Sequence, residues 1–361
     1  MIFAVNRSLL RIFVVITLLF CFSVSGQTAR KYSNEFMNIG VDAAAFGMSN
    51  AVVATTGTVH AGYWNPAGLI HLEDNQLGLM HASYFANIAQ YDYVGFAMPL
   101  DSISAFAVSM LRFGVDDILD TTQLIDDEGT VNYNNINLFS AADYGFIFSY
   151  ARKPKVPGLS YGINAKILRR IIGDFASSWG FGFDIGLQYR RNQWQFGLML
   201  RDITTTFNTW RIDEDIFDGV SEELPDQELP ETTEITLPKA QLGVSRTFTF
   251  HSRYSLTAEI DLAMRFAQTE DLISSSFVSI TPATGLEFSY LDMAFLRAGI
   301  GNFQTITDLS GSESMSFQPN IGIGFKYKGI QVDYALTDIG DQSAAIYSNV
   351  FSLKIDWELF R

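Results

Sequence analysis

Residues 178–190 read SWGFGFDIGLQYR, and the fold turns on their alternation. One set of alternate positions holds Trp179, Phe181, Phe183, Ile185, Leu187 and Tyr189; the other holds Gly180, Gly182, Asp184, Gly186, Gln188 and Arg190. Successive side chains of a strand point to opposite faces, so this segment has one unbroken apolar face and one small, polar or charged face. The same two-residue period recurs before and after it, without amphipathic helices to cover the apolar faces. Such a sheet must pack on a second sheet or face lipid.

Composition favours lipid. Among 361 residues, 48% are hydrophobic and only 17% charged, and there are 30 Phe, 15 Tyr and 28 Gly. Many aromatics and glycines with little charge suit a transmembrane β-barrel, whose outer face carries apolar residues and aromatic girdles. The net charge of −15 argues against nucleic acid or an anionic membrane surface as a partner.

The N-terminus predicts export. Arg7 and Arg11 precede the apolar run 12–22, and SVSGQ follows as a cleavage region, so residues 1–26 read as a removed signal peptide. Cleavage would take away Cys21, the one cysteine, and with it any disulfide or thiolate chemistry. Acylation of Cys21 is disfavoured by Phe20 beside it. No later run is long and apolar enough for a membrane helix, so the expected location is the bacterial outer membrane, integral, as a barrel.

Residues 27–75 differ from the rest. The small-residue stretch 38–54 predicts a short helix, and HAGYWNPAGL (60–69) breaks regularity, so the segment is expected as an N-terminal hatch or plug inside the lumen. Residues 76–361 then contain about fourteen strand-like runs, an all-β transmembrane antiparallel barrel. Short and long connections alternate, with long loops expected at 115–140 and 207–237; only the first connection, near Ala86 and Asn87, breaks the parity. The lumen face would carry Asp184, Arg201, Glu259, Asp261, Arg265 and Lys326, whose mixed signs predict cross-lumen pairing more than a one-sign filter. Phe351, Leu353, Ile355 and Trp357 alternate with Ser352, Lys354 and Asp356 in what reads as the closing strand.

The loop 210–238 holds ten acidic residues from Asp213 to Glu234. Asp213, Glu214, Asp215, Asp218, Glu222 and Glu223 are its candidate partner-binding residues; a solvated loop is the plainer reading, and the spacing does not match a calcium hand. Catalysis is not expected. No nucleophile elbow, phosphate loop or metal-binding histidine pair occurs, and His81 with Ser83 lacks a third group. No cofactor or metal is expected.

The turn YWNPAGL (63–69) resembles the hatch of FadL-like barrels, a group that includes fatty-acid transporters. Further on, 138–153, 159–189 and 194–210 together resemble the PorV/PorQ family. That resemblance implies a FadL-like barrel of fourteen strands serving the type IX secretion system, with secretion proteins and cargo bearing C-terminal signal domains as partners beside outer-membrane lipid. Trp64, Asn65, Pro66, Ala67 and Gly68 would form the hatch turn, and the two long loops the partner surfaces. Secretion is the leading expectation. The alternative is a FadL-type channel for hydrophobic small molecules, which requires an apolar region between hatch and wall and a lateral gap.

Overall fold

The computed structural model describes residues 33–84, 87–125, 129–213, 232–267, 269, 273–307, 313–337 and 347–357. Residues 1–26, expected as a signal peptide and including Cys21, lie outside them, as do Glu214, Asp215, Asp218, Glu222 and Glu223. Fourteen antiparallel strands close into a barrel. They are β1 (Gln76–Tyr84), β2 (Ala89–Asp101), β3 (Ser104–Asp120), β4 (Asn137–Arg152), β5 (Leu159–Ile172), β6 (Ala176–Arg191), β7 (Trp194–Arg201 continuing as Thr206–Ile212), β8 (Thr233–Thr236 continuing as Lys239–Phe250), β9 (Tyr254–Arg265), β10 (Ser279–Tyr290), β11 (Ala294–Thr307), β12 (Glu313–Tyr327), β13 (Ile330–Thr337) and β14 (Ser348–Asp356). Each pairs with the next in sequence, and β14 closes on β1 through pairs such as Leu353 with Leu79. Closure leaves no strand edge to be satisfied in lipid.

The faces follow the alternation. Trp179, Phe181 and Phe183 of β6 are 50%, 59% and 49% exposed, whereas Ser178, Asp184 and Gln188 are buried. Comparable outward apolar residues, among them Phe196, Leu242, Ile260, Leu286, Leu296 and Ile323, run round the barrel. Among the described residues no helix is long and apolar enough to cross a membrane.

Several strands outrun the sequence expectation at the long-loop end. β3 runs to Asp120 and β4 starts at Asn137, so the loop expected at 115–140 is a connection of 121–136. The loop expected at 207–237 likewise shrinks, because Thr206–Ile212 and Thr233–Thr236 are paired strand. The backbones of β3 and β4 continue the ladder beyond a bulge at Asp116 and Asp117, with Ile118 opposite Phe139. The link between Tyr84 and Ala89 is truly short, so loop parity is not strict. The expected connection after β5 is a turn of only three residues, 173–175.

Residues 33–75 occupy the lumen. Helix α1 (Ala43–Gly47) is only five residues, narrower than the small-residue stretch 38–54 suggested. Asp42 caps its start through Ala44 N–H, and left-handed Ser49 and Asn50 end it. A second short helix, α2 (Ala61–Trp64), leads through Asn65 into a 3₁₀ turn at Pro66–His71. Phe36, Met37, Val41, Phe46, Met48, Tyr63 and Trp64 form one apolar cluster with the inward residues Met80, Tyr91, Tyr93, Leu111, Ile147 and Leu168 of β1–β5.

Candidate functional site

The hatch turn is an anchor built from one amide. Asn65 is fully buried; its Nδ2 donates to Val53 O and to Leu187 O of β6, both at 3.0 Å, while its Oδ1 accepts Ala67 N–H at 3.2 Å. Pro66 sets the first residue of the 3₁₀ turn, where a missing N–H does no harm. Trp64 Nε1 donates to Val41 O at 2.9 Å, tying α2 to the chain ahead of α1. Ala67 is fully buried, and a side chain at Gly68 would collide with Thr56 O. The wall yields room at glycine pairs. Gly162 and Gly186 face each other on β5 and β6, and a Cβ on either would strike Pro66 or Asn65; Gly285 and Gly299 on β10 and β11 do the same for Met48. Close backbone approach is why the small residues of SWGFGFDIGLQYR face inward.

Carboxylates of β9 receive the plug backbone. Asp261 Oδ2 accepts Val52 N–H at 3.0 Å and Val53 N–H at 3.1 Å, and Glu259 Oε1 accepts Ala54 N–H at 2.6 Å while its other oxygen accepts the Thr55 hydroxyl. Arg201 donates from Nη2 to Tyr63 O at 3.0 Å and lies over the Tyr63 ring at 4.6 Å. Gln188 and Arg190 donate to Thr56 O from β6.

Two charge networks complete this side. Lys166 Nζ lies 2.7 Å from Asp184 and 2.6 Å from Asp202, and Asp202 reaches it because β7 breaks into a turn at residues 202–205. Arg297 binds Glu287 at 2.6 Å and Asp333 at 2.7 Å; Lys354 then bridges Asp333 and the plug's Asp42, each at 3.3 Å. Burial alone would raise the Asp42 carboxyl, but His60, Lys354 and Arg297 hold it well below the usual carboxylate range. His60 Nδ1 lies 3.2 Å from Asp42 Oδ2, and its ring packs on Tyr93 at 5.0 Å.

The sequence placed Asp184, Arg201, Glu259 and Asp261 in the lumen, where they are, but did not single out Lys166, Asp202, Arg297, Asp333, Lys354 or Asn65's part in the wall. Strand parity would have found most of them, since Lys166 and Asn164 share one face of β5. Lys326 differs from expectation: its side chain is 44% exposed near the short-turn end, 4.0 Å from Asp356. Of the six candidate residues of the acidic loop only Asp213 is described, its N–H bonded to Phe175 O, while Glu234, the last of the ten acidic residues, lies in β8 beside Arg170 at 3.1 Å. His81 and Ser83 face outward and are separately engaged, His81 with Asp92 at 2.7 Å and Ser83 with Asn87 at 2.9 Å. Among the described residues no group of His, Cys, Asp or Glu could hold a metal.

Two openings bear on transport. A cavity of about 320 Å³ separates the plug, at Asn38, Asn50 and Tyr63, from Arg201, Lys239 and Arg265 of the wall. A groove of about 510 Å³ lies where β13, β14, β1, β2 and β3 meet, lined chiefly by Leu79, Val94, Met110, Val332, Phe351 and Leu353. Met80 and Tyr93 border this groove and also belong to the plug's apolar cluster.

No family model matches the chain, and no curated protein matches it. Solved structures do. The toluene transporter TodX of Pseudomonas putida superposes with a TM-score of 0.55 at 12% identity, covering 88% of this chain and 98% of its own. A FadL homologue of Pseudomonas aeruginosa gives 0.51 at 13% identity, with the same coverages of 88% and 98%. The monoaromatic hydrocarbon channel CymD gives 0.54 at 12%, covering 88% and 97%. The fold is FadL-like.

These comparisons overturn the type IX secretion expectation. The structures reported above are named as hydrocarbon transporters and channels or as a FadL homologue, not as secretion components, and the PorV/PorQ assignment finds no support. The segments that carried that resemblance, 138–153, 159–189 and 194–210, are β4–β7, and their pattern is the two-residue period any such barrel needs.

Proposed function

We propose that the protein is an outer-membrane channel of the FadL type that passes hydrophobic small molecules. Monoaromatic hydrocarbons are the class to test first, since toluene and monoaromatic hydrocarbons are what TodX and CymD are named for. One observation carries the reading. At β1 and β2 the two faces of the wall are both apolar: Leu79 and Val94 line the outer groove, and Met80 and Tyr93 join the apolar cluster of the plug directly behind it. Only the paired backbones of β1 and β2 separate the two faces. A hydrophobic solute gains transfer free energy along such a seam at about 25 cal/mol per Å² buried, whereas the charged side offers it only desolvation. The neighbours are channels and transporters, which favours passage over catalysis.

The test is uptake of labelled toluene by cells that lack their own hydrocarbon channel, with this protein or its Val94→Trp variant in the outer membrane. Val94 points outward into the groove, so Trp fills it without touching the plug. Uptake above empty cells, cut several-fold by Val94→Trp, is expected. Uptake no greater than empty cells would overturn the channel; uptake unaffected by Val94→Trp would overturn the route.

A further inference from the structure

The outer face changes character within a single register step. One row across adjacent strands reads Leu79, Val94, Met110, Phe146, Ile167, Phe181 and is wholly apolar. The next row toward the long-loop end reads His81, Asp92, Arg112, Tyr144, Arg169, Trp179. Long loops lie outside the cell in such barrels, so this row marks the outer edge of the hydrocarbon. The opposite edge checks it. Tyr189 on β6, with Trp194 and Phe196 beside it on β7, lies ten residues from Trp179, about 33 Å along the strand and about 25 Å along the normal at a tilt of ~40°, the height of an apolar band.

Within that row the cations are treated unequally. Arg112 has Asp116 at 3.4 Å and Asp92 at 3.9 Å. Arg170, facing the lumen, has Asp143 at 2.9 Å and Glu234 at 3.1 Å. Arg169, its neighbour in sequence, faces the membrane and has no carboxylate among the described residues. It bonds Ser178 O at 3.4 Å and lies over the Trp179 ring at 4.9 Å. In a chain with 39 acidic residues against 24 basic ones, a guanidinium at the headgroup level is left for an anion from outside the protein.

We propose that Arg169, stacked on Trp179 and flanked by Tyr144, binds the phosphate of an outer-leaflet lipid. Guanidinium presents a planar fork that matches phosphate, and stacking holds it without quenching its donors. Tyr144 and Trp179 are the amphipathic side chains that settle at headgroup depth. The apolar row beneath, at Phe146, Ile167 and Phe181, receives the acyl chains. This site is on β4–β6, apart from the groove at β13–β3, and does not depend on the transport reading.

Native mass spectrometry of the detergent-purified mature protein tests it. The probes are phosphatidic acid, diacylglycerol of the same chains and inorganic phosphate. Phosphatidic acid should bind wild type, lose roughly tenfold or more in affinity in Arg169→Gln as one charge-assisted contact goes, and keep part of it in Arg169→Lys. Diacylglycerol should bind no better to wild type than to Arg169→Gln, and inorganic phosphate should not displace the lipid. Equal phosphatidic acid binding by wild type and Arg169→Gln overturns the proposal, as does diacylglycerol bound as tightly as phosphatidic acid. Displacement by inorganic phosphate would make this a free-anion site and overturn the lipid assignment. Heat-modifiability of each variant confirms that the barrel compared is folded.

Discussion

The two sides of the lumen hold the same plug by different physics. Along β1–β5 the contact is Met80, Tyr91, Tyr93, Leu111, Ile147 and Leu168 against Met37, Phe46, Tyr63 and Trp64. Along β6–β14 it is Asp261 and Glu259 on backbone amides, Arg201 on a carbonyl and, from Arg297 of β11 through Asp333 of β13 and Lys354 of β14, a network ending on Asp42. Apolar contacts are non-directional and can be exchanged for contacts with an apolar solute at little loss. Buried charged contacts have no such substitute, because breaking one leaves an unpaired charge. On the proposed channel reading, the polar wall would keep the plug in place and the apolar wall would be the side along which a hydrophobic molecule passes.

The largest expected effect breaks the polar side at its hub. Arg297→Ala leaves Glu287 without its cation and Asp333 with Lys354 alone, at an expected loss of about 3–5 kcal/mol. The barrel should unfold at lower temperature in heat-modifiability gels, and the plug amides near Asp42 should exchange hydrogen sooner. A loss under about 1 kcal/mol would mean that the charged wall is no anchor, since surface ion pairs are worth that much.

A smaller effect is expected from the outer face. Phe183 and Asp184 are adjacent in sequence and opposite in environment, one 49% exposed to the lipid side and the other 1% exposed in the lumen beside Lys166. Phe183→Arg should lower folded yield in the membrane, at about 2–4 kcal/mol for a cation near the midplane. Normal yield would show that the assignment of faces is reversed.

The strands and their faces were legible in the sequence because period-2 alternation is imposed residue by residue by the lipid. Phe181, Phe183 and Leu187 on one side and Asp184 and Gln188 on the other needed no tertiary information. What was not legible needed it. Ile118 and Ile212 continue strands past the aromatic row that marks the edge of the hydrocarbon, so only the neighbouring ladder keeps them extended. Asn65 reads as a turn residue, yet its amide finds Leu187 O, 122 positions away, and no local pattern announces that. Asp202 falls inside the strand-like run 193–206, and only the partnership with Lys166 explains the turn that breaks it there. Function was least legible: the features shared across β4–β7 record what a barrel wall requires, and a secretion component and a hydrocarbon channel share those requirements.

The smallest expected effect separates the two ends of the plug by pH. His71, last residue of the 3₁₀ turn, is depressed to about 3 by burial and by Arg190 and Lys153 nearby. A histidine harder to protonate when folded than when unfolded contributes stability that is whole above pH 6.5 and is lost as pH falls toward about 3. Asp42 has the same sign in a lower window: its carboxyl is held below the usual range, so its contribution is whole above the ordinary carboxylate value of 3.8 and is lost only below it. Lowering pH from 7 to 5 should therefore reduce the protection of amides 66–71, taken relative to the intrinsic exchange rate at each pH, and leave that of residues 42–47 unchanged, and His71→Gln should flatten the first response. Loss of protection at both ends together would mean that the plug moves as one body, and the contrast between its two sides would then not extend to its dynamics.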